Sequence, residues 1–380
     1  MINILIAGYH GFGNCGDEAI LQAMTDNIKE ISDDISITAL SYKPELTKTE
    51  YNIESVQRFN VWQVFKVIRH SDIILSGGGT LLQDDTSTRS LLYYLSIIKV
   101  AKFFHKRVML YANGIGPVNG KINRKLIKHV INEVDLITLR EDKSVIDLKE
   151  IGVDKPEIHV TSDPAFTLKS VSDKRVSEIL ENEQIPTDKK IVGVSVRNWN
   201  GYNGEEYVEK IAKTCDRLVR ENKTVLLIPM QFPRDVAISK RLISYMTEKA
   251  YILKNGYSPT EMLGIIGKVD VMLSMRLHTL IFAGVKRVPM VGIAYHPKVK
   301  YYLDVLDMPS GGDVRDDSID ENKLYALIDD IFDNYNDYQD RLDKKVTELE
   351  KKARENDIFL KKQLDLIREK KVGKHKWKIE

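Results

Sequence analysis

Three arginines follow directly on apolar, β-rich runs: Arg140 in Leu139-Arg140-Glu141-Asp142, Arg197 in Ser195-Val196-Arg197-Asn198, and Arg276 in Ser274-Met275-Arg276-Leu277-His278. At the end of a buried strand an arginine is poorly placed as a free surface charge and well placed to hold phosphate or carboxylate through its planar fork. An internal salt bridge is the competing role for each, and Arg140 has Glu141 and Asp142 beside it. Spread over both halves of the chain, the three point to an anionic small molecule. His278 stands two residues after Arg276 at a strand-to-helix junction, a place suited to proton transfer; a capping or core histidine is the plainer alternative. His296, in Ala294-Tyr295-His296-Pro297-Lys298, and His10 are the next candidates.

Glycine-rich segments supply a second set of contacts. Gly8-Tyr9-His10-Gly11-Phe12-Gly13-Asn14-Cys15-Gly16-Asp17-Glu18 lies between the first expected strand and helix. Gly11, Gly13 and Gly16 match G-x-G-x-x-G, but the second strand ends in Leu40-Ser41-Tyr42-Lys43, without the acid that binds a dinucleotide ribose. A turn remains that brings backbone N–H groups, Asn14, Gly16 and two carboxylates to one place. Asp17 and Glu18 act there either on a ligand or as charges complementing a helix dipole. Ser76-Gly77-Gly78-Gly79-Thr80 and Asn113-Gly114-Ile115-Gly116-Pro117 follow other strands. Each is a phosphate- or sugar-binding loop or a tight turn, since glycine serves both.

These loops need elements to hold them. Strands are expected near 2–8, 35–41, 72–76, 107–112 and 135–139, with helices near 17–31, 61–69, 88–104, 121–132 and 141–150. After a polar stretch from Lys169 to Lys190 without strand pattern, strands recur near 191–196, 223–228, 250–253, 270–274 and 288–292. Helices near 205–221, 235–248, 259–267 and 279–284 separate them. Ser258-Pro259-Thr260-Glu261 reads as a capping box with proline at the first helical position. Beyond Ile319 the pattern is helical only. The class is α/β: two doubly wound, Rossmann-like domains facing each other across a cleft and then a long C-terminal helix, the GT-B arrangement. The expected segments are 1–170, 171–320 and 321–380.

With 380 residues, 43% apolar and 29% charged, the chain is long enough for two cores and is not of disordered composition. Its net charge of +2 argues against a nucleic-acid binder working through a global basic field. Cys15 and Cys215 form no metal or disulfide pattern, which fits a reducing cytoplasm. The opening residues read as a buried strand rather than a signal peptide, and no stretch is apolar enough to span a membrane. Nothing demands a metal or an organic cofactor.

Gly13-Asn14-Cys15-Gly16-Asp17-Glu18, Ser76-Gly77-Gly78-Gly79, Leu139-Arg140-Glu141, Ser162-Asp163-Pro164, Val196-Arg197 and Arg276-Leu277-His278 occur in an order that resembles the polysaccharide pyruvyl transferase family. The resemblance spans about residues 1 to 310. It is nearest to the CsaB-type bacterial members that modify secondary cell-wall polymers and anchor S-layer proteins. It implies transfer of pyruvate from phosphoenolpyruvate, a co-substrate, onto two hydroxyls of a sugar as a cyclic ketal. The acceptor so implied is the 4,6-diol of a β-linked N-acetylmannosamine in a lipid-linked precursor, with the first domain on the acceptor side and the second on the phosphoenolpyruvate side. By that analogy Arg140, Arg276 and His278 bind the donor, Arg197 joins them, His278 donates a proton or stabilises phosphate, and Asp17 or Glu18 accepts a proton.

Work on a lipid-linked acceptor implies the cytoplasmic membrane face. The last twenty residues hold eight Lys or Arg against three acids, and Lys370, Lys371, Lys374, Lys376, Trp377 and Lys378 would dock onto anionic lipid or stay solvated. Two rival readings are a GT-B glycosyltransferase using a nucleotide sugar, with Glu261 or Asp270 as the ribose acid, and a non-catalytic sugar- or anion-binding protein.

Overall fold

A computed structural model describes residues 1–85, 87–199, 206–316 and 318–376, with side chains described to residue 372. Trp377 and Lys378 lie outside the described residues, as do the side chains of Lys374 and Lys376. By its contacts the chain divides into two compact units. The first comprises Met1–Phe12, Ile20–Thr167 and the chain from Leu349 onward; the second comprises Gly13–Ala19 and Leu168–Glu348.

The first unit is built on β1 (Ile2–His10), β2 (Ile35–Ser41), β3 (Glu54–Gln57), β4 (Ile73–Leu82), β5 (Arg107–Ile115), β6 (Leu136–Leu139) and β7 (Ile158–Val160). They form one sheet in the order β3-β2-β1-β4-β5-β6-β7, with every pairing parallel. Its helices are α1 (Cys15–Ile31), α2 (Pro44–Tyr51), α3 (Val61–His70), α4 (Thr88–Phe103), α5 (Lys121–Ile131) and α6 (Asp142–Ile151), α1 starting within Gly13–Ala19 of the second unit. The strand order reverses between β1 and β4, whose register pairs Ala7 with Ser76. The glycine segments that follow these residues therefore emerge side by side at the carboxyl edge, where open α/β sheets bind ligands. Leu5, Ile74, Val108, Leu110 and Ile137 alternate with helix residues such as Ile98 and Ile127 in a continuous core.

In the second unit β8 (Ile191–Ser195), β9 (Thr224–Leu227), β10 (Tyr251–Ile252), β11 (Val271–Ser274), β12 (Met290–Ala294) and β13 (Ser310–Asp313) form a parallel sheet in the order β10-β9-β8-β11-β12-β13. Its helices are α7 (Asp173–Asn182), α8 (Glu206–Arg220), α9 (Arg234–Tyr245), α10 (Pro259–Ile266), α11 (Leu277–Val285), α12 (Pro297–Leu306) and α13 (Glu321–Asp333). The switch falls between β8 and β11, and their register sets Ser195 opposite Ser274. Arg197 and Arg276, each two residues further on, leave the sheet next to each other. At α10 the Ser258 side chain and the Glu261 carboxylate exchange hydrogen bonds with each other's backbone, the expected capping box.

The polar stretch 169–190 contains α7, which buries Val176, Ile179 and Leu180. The long helix α14 (Tyr335–Lys376) has 42 residues, about 63 Å at 1.5 Å per residue. Its residues to Glu348 group with the second unit and those from Leu349 with the first. No helix among the described residues is long and apolar enough to cross a membrane.

Candidate functional site

In the second unit Ser195 and Ser274 end the two central strands, and the chain turns at Arg276 into α11. The Ser274 hydroxyl accepts the Arg276 backbone N–H at 2.9 Å, fixing that turn. Arg276 is the N-cap of α11 but offers no side-chain cap, and no acidic residue occupies the first turn of the helix. The orphan N–H groups and dipole at such an end favour an anion.

The Arg276 guanidinium donates to the Asp235 carboxylate in α9 and, at 3.5 Å, to Gln231. Asp235 also accepts the backbone N–H groups of Met230 (3.1 Å) and Gln231 (3.0 Å), so the pair is anchored to the turn after β9. Arg276 is still 15% exposed, against 1% for Asp235, and its Nε has no hydrogen-bond partner among the described residues. The guanidinium is thus held by Asp235 and Gln231 while its side chain still reaches the surface.

Arg197 lies over the Tyr295 ring, its guanidinium carbon 4.0 Å from the centroid, and its Nε likewise lacks a partner. Burial would raise the Tyr295 phenol, but Lys298, Arg197 and Arg276 together hold it below its ordinary range. The hydroxyl of Tyr207 donates to the Arg197 carbonyl at 2.9 Å and fixes the loop after β8.

The loop Gly13–Ala19 belongs to this unit. Asn14 bridges to Gln231, and the Cys15 N–H donates to the Met230 carbonyl at 2.9 Å. The loop is thereby laid against the same turn that holds Asp235. Asn14 accepts the Gly16 N–H and donates to the Asp17 carboxylate. Gly16 is packed directly on the His278 ring, so that a Cβ there would overlap it. Asp17 and Glu18 sit in the first turn of α1, where they complement its dipole, and Glu18 is buried.

The second unit thus brings together Arg197, Arg276, His278, Asn14, Gly16, Asp17 and Glu18 of the residues expected from sequence. It adds Asp235, Gln231, Tyr295 and Lys298. Two of these carried a signal: Tyr295 and Lys298 flank His296 after β12, in one of the segments already singled out. His296 itself caps α12, its Nδ1 accepting the Lys298 N–H. Asp235 and Gln231 carried none, because a polar residue after β9 reads as ordinary surface.

Arg140 and Gly77, Gly78 and Gly79 belong to the first unit. Arg140 donates to Asp163 at 2.5 Å and to the Thr80 hydroxyl at 3.2 Å; the arginine side chain is 3% exposed and Asp163 not at all. An internal partner is thus Asp163 of the Ser162-Asp163-Pro164 motif. Glu141 accepts from Ser144. Gly77 packs on the Tyr111 carbonyl and Gly78, at φ +88°, faces the buried His10 ring. Both glycines answer to close approach within the sheet. Cys15 and Cys215 are both buried, and burial lifts the Cys215 thiol to about 12. Among the described residues no group of three His, Cys, Asp or Glu is placed to hold a metal ion.

A family profile described as polysaccharide pyruvyl transferase matches residues 14–297, most of the chain. The amylovoran biosynthesis protein AmsJ of Erwinia amylovora is 19% identical over 398 residues, covering 90% of this chain and 94% of that protein. Among solved structures, MnaA of S. aureus, determined with UDP, aligns at a TM-score of 0.63 and 14% identity over 90% of this chain and 91% of its own. HepE of Anabaena, in complex with UDP and glucose, aligns at 0.61 and 12% over 97% and 100%. At these identities the structural likeness is one of fold: two parallel α/β sheets of the GT-B type with a long C-terminal helix.

Proposed function

This chain belongs to the polysaccharide pyruvyl transferase family, a family of sugar-modifying transferases, and on that premise we propose that it moves pyruvate from phosphoenolpyruvate onto two hydroxyls of one sugar, releasing phosphate. The observation that carries the reading is that Arg197, stacked on Tyr295, and Arg276, the N-cap of α11 with no acid in the helix's first turn, leave adjacent central strands side by side. Phosphoenolpyruvate bears a phosphate and a carboxylate on one small frame, and a set of cations with one carboxylate counter-ion matches that charge.

In this reading a proton is delivered to the methylene carbon of the donor, making C2 electrophilic. One sugar hydroxyl adds to C2 and gives up its proton; the C2–O bond to phosphate breaks; the second hydroxyl adds, loses its proton and closes the ketal. One donor and one diol yield one ketal and one inorganic phosphate. His278, held against Gly16, is the proton donor or phosphate partner, Arg276 and Arg197 hold the leaving phosphate and carboxylate, and Asp17 or Glu18 takes the hydroxyl proton. Arg140, locked to Asp163, supports the loop around Thr80. No metal or organic cofactor enters these steps. The acceptor is the 4,6-diol of a lipid-linked β-N-acetylmannosamine, met at the cytoplasmic face of the membrane.

Phosphate release from phosphoenolpyruvate is to be measured with a synthetic lipid-like β-N-acetylmannosaminyl-N-acetylglucosamine diphosphate. Release dependent on acceptor, a product heavier by a pyruvyl ketal, and loss of both in Arg276→Ala and His278→Ala are expected. Two of the fold neighbours were determined with UDP; thermal protection by a UDP-sugar with no phosphate released would replace this reading by nucleotide-sugar transfer.

A further inference from the structure

Helices α3, α4 and α5 of the first unit contain nine Lys or Arg and no Asp or Glu, in a chain whose total net charge is only +2. They are neighbours, α3 packing on α4 and α4 on α5, and right-handed crossovers to β4, β5 and β6 place all three on one face of the sheet. Lys99 and Lys102 pair with Glu133 (2.6 Å) and Asp135 (2.8 Å), which follow α5. Lys66 and Arg69 are exposed on α3 and have no acidic partner among the described residues.

The same face carries large apolar side chains in water. Trp62 is 83% exposed and Phe103 75%, and Val61, Phe65 and Ile122 are exposed as well. Between α3 and α4 opens an apolar groove of about 220 Å³ lined by Phe59, Val64, Phe65, Ile68, Tyr93 and Val100. Phe65 meets Phe104 edge-on at 4.9 Å, tying the outer rim of the groove to the end of α4. Exposed aromatics around an apolar groove, on helices that carry cations and no acids of their own, is the chemistry of a helix face that lies in a bilayer interface.

We propose that the α3–α4–α5 face docks on an anionic lipid surface, with Trp62 and Phe65 entering the headgroup boundary and Lys66 and Arg69 meeting lipid phosphates. Helices in a doubly wound sheet run antiparallel to the strands, so the amino ends bearing Val61, Trp62 and Ile122 lie at the carboxyl edge of the strands. Docking therefore brings that edge, with the Gly77–Gly79 segment, to the membrane. The site is separate from the basic C-terminal tail and does not depend on which reaction the protein catalyses.

The test is sedimentation of the full chain with vesicles of phosphatidylglycerol and phosphatidylcholine, compared with phosphatidylcholine alone. Wild type is expected to pellet only with the anionic vesicles and to be released by salt. Trp62→Ala and the pair Lys66→Gln/Arg69→Gln should each weaken partitioning by roughly tenfold, with unchanged thermal melts, since all three side chains are exposed. Wild type remaining in the supernatant overturns the proposal. So does binding that survives both variants but disappears on removal of residues 373–380, which would assign docking to the tail. Loss of a self-associated species in these variants, without any vesicle binding, would make the face a contact between copies of the chain and equally overturn it.

Discussion

Arg140 and Arg276 each end a buried strand and each faces an aspartate, one in each unit, yet they are finished differently. Arg140 is sealed: its partner Asp163 is wholly buried, Thr80 takes a second bond, and Gly114 lacks the side chain that would crowd the guanidinium. Arg276 meets Asp235 from a partly open position: its side chain is 15% exposed where that of Arg140 is 3%. The same local pattern thus yields a fully buried ion pair in one sheet and a partly exposed one in the other. What separates them is the far partner: for Arg140 a residue after β7 that closes over it, for Arg276 a turn after β9 that supports it from one side.

The contrast is sharpest if the first pair is removed. Arg140→Ala strands a buried carboxylate, and a loss of about 3–5 kcal/mol in unfolding free energy is expected by urea denaturation; a loss below 1 kcal/mol with abolished turnover would break the distinction. Asp357 probes the same unit. Burial, outweighing the hydrogen bond from Tyr111 and the charge of Arg354, pushes its carboxyl up to about 6 from 3.8. Since the folded form holds the proton more tightly, this group favours folding fully below the unfolded value and loses that contribution as pH rises through about 6. The fall amounts to about 3 kcal/mol, and Asp357→Asn should flatten that part of the stability curve between about pH 4 and 6.

In the second unit the expected effects are on turnover. Arg276→Lys keeps a charge toward Asp235 but loses the fork, so phosphate release should fall about a hundredfold in kcat/KM, roughly 2.7 kcal/mol, with stability changed by less than about 1 kcal/mol. A stability loss as large as that of Arg140→Ala would make the two arginines equivalent. Gly16→Ala pushes on the His278 ring and should cost about tenfold in turnover, near 1.4 kcal/mol; unchanged turnover would show that the ring position is not critical.

The ten strands expected from apolar runs are all present, and the three that sequence reasoning missed are β3, β7 and β13, all at sheet edges. Glu54–Gln57 and Ile158–Val160 are only partly buried and Ser310–Asp313 has two glycines, so none shows the apolar run of a strand covered on both faces. Among helices, α2, α7 and α12 escaped for a related reason: Pro44–Tyr51 buries only Thr47 and Tyr51, and α7 lies in a segment whose charge masks three buried apolar positions. The arginines, His278 and the Gly16 loop were legible because each interrupts a strand-to-helix junction with a costly residue. Asp163 and Tyr295 stood within segments already quoted but without an assigned partner, and Asp235 gave no signal, since each meets its arginine only through parallel register across the sheets.

The chain passes between the two units at Phe12, Ala19, Thr167 and Glu348. During synthesis the first sheet can pair long before the residues that finish it exist. Asn356 hydrogen-bonds Thr161 and Ser162, Asp357 accepts from Tyr111, and Gln363 accepts from Arg107, and all of these arrive after the whole second unit has left the ribosome. The nascent first unit therefore waits with the Tyr111 hydroxyl and part of the Arg107 fork unmet, and a chain cut short before Asn356 would be one whose first unit, not its second, is unfinished.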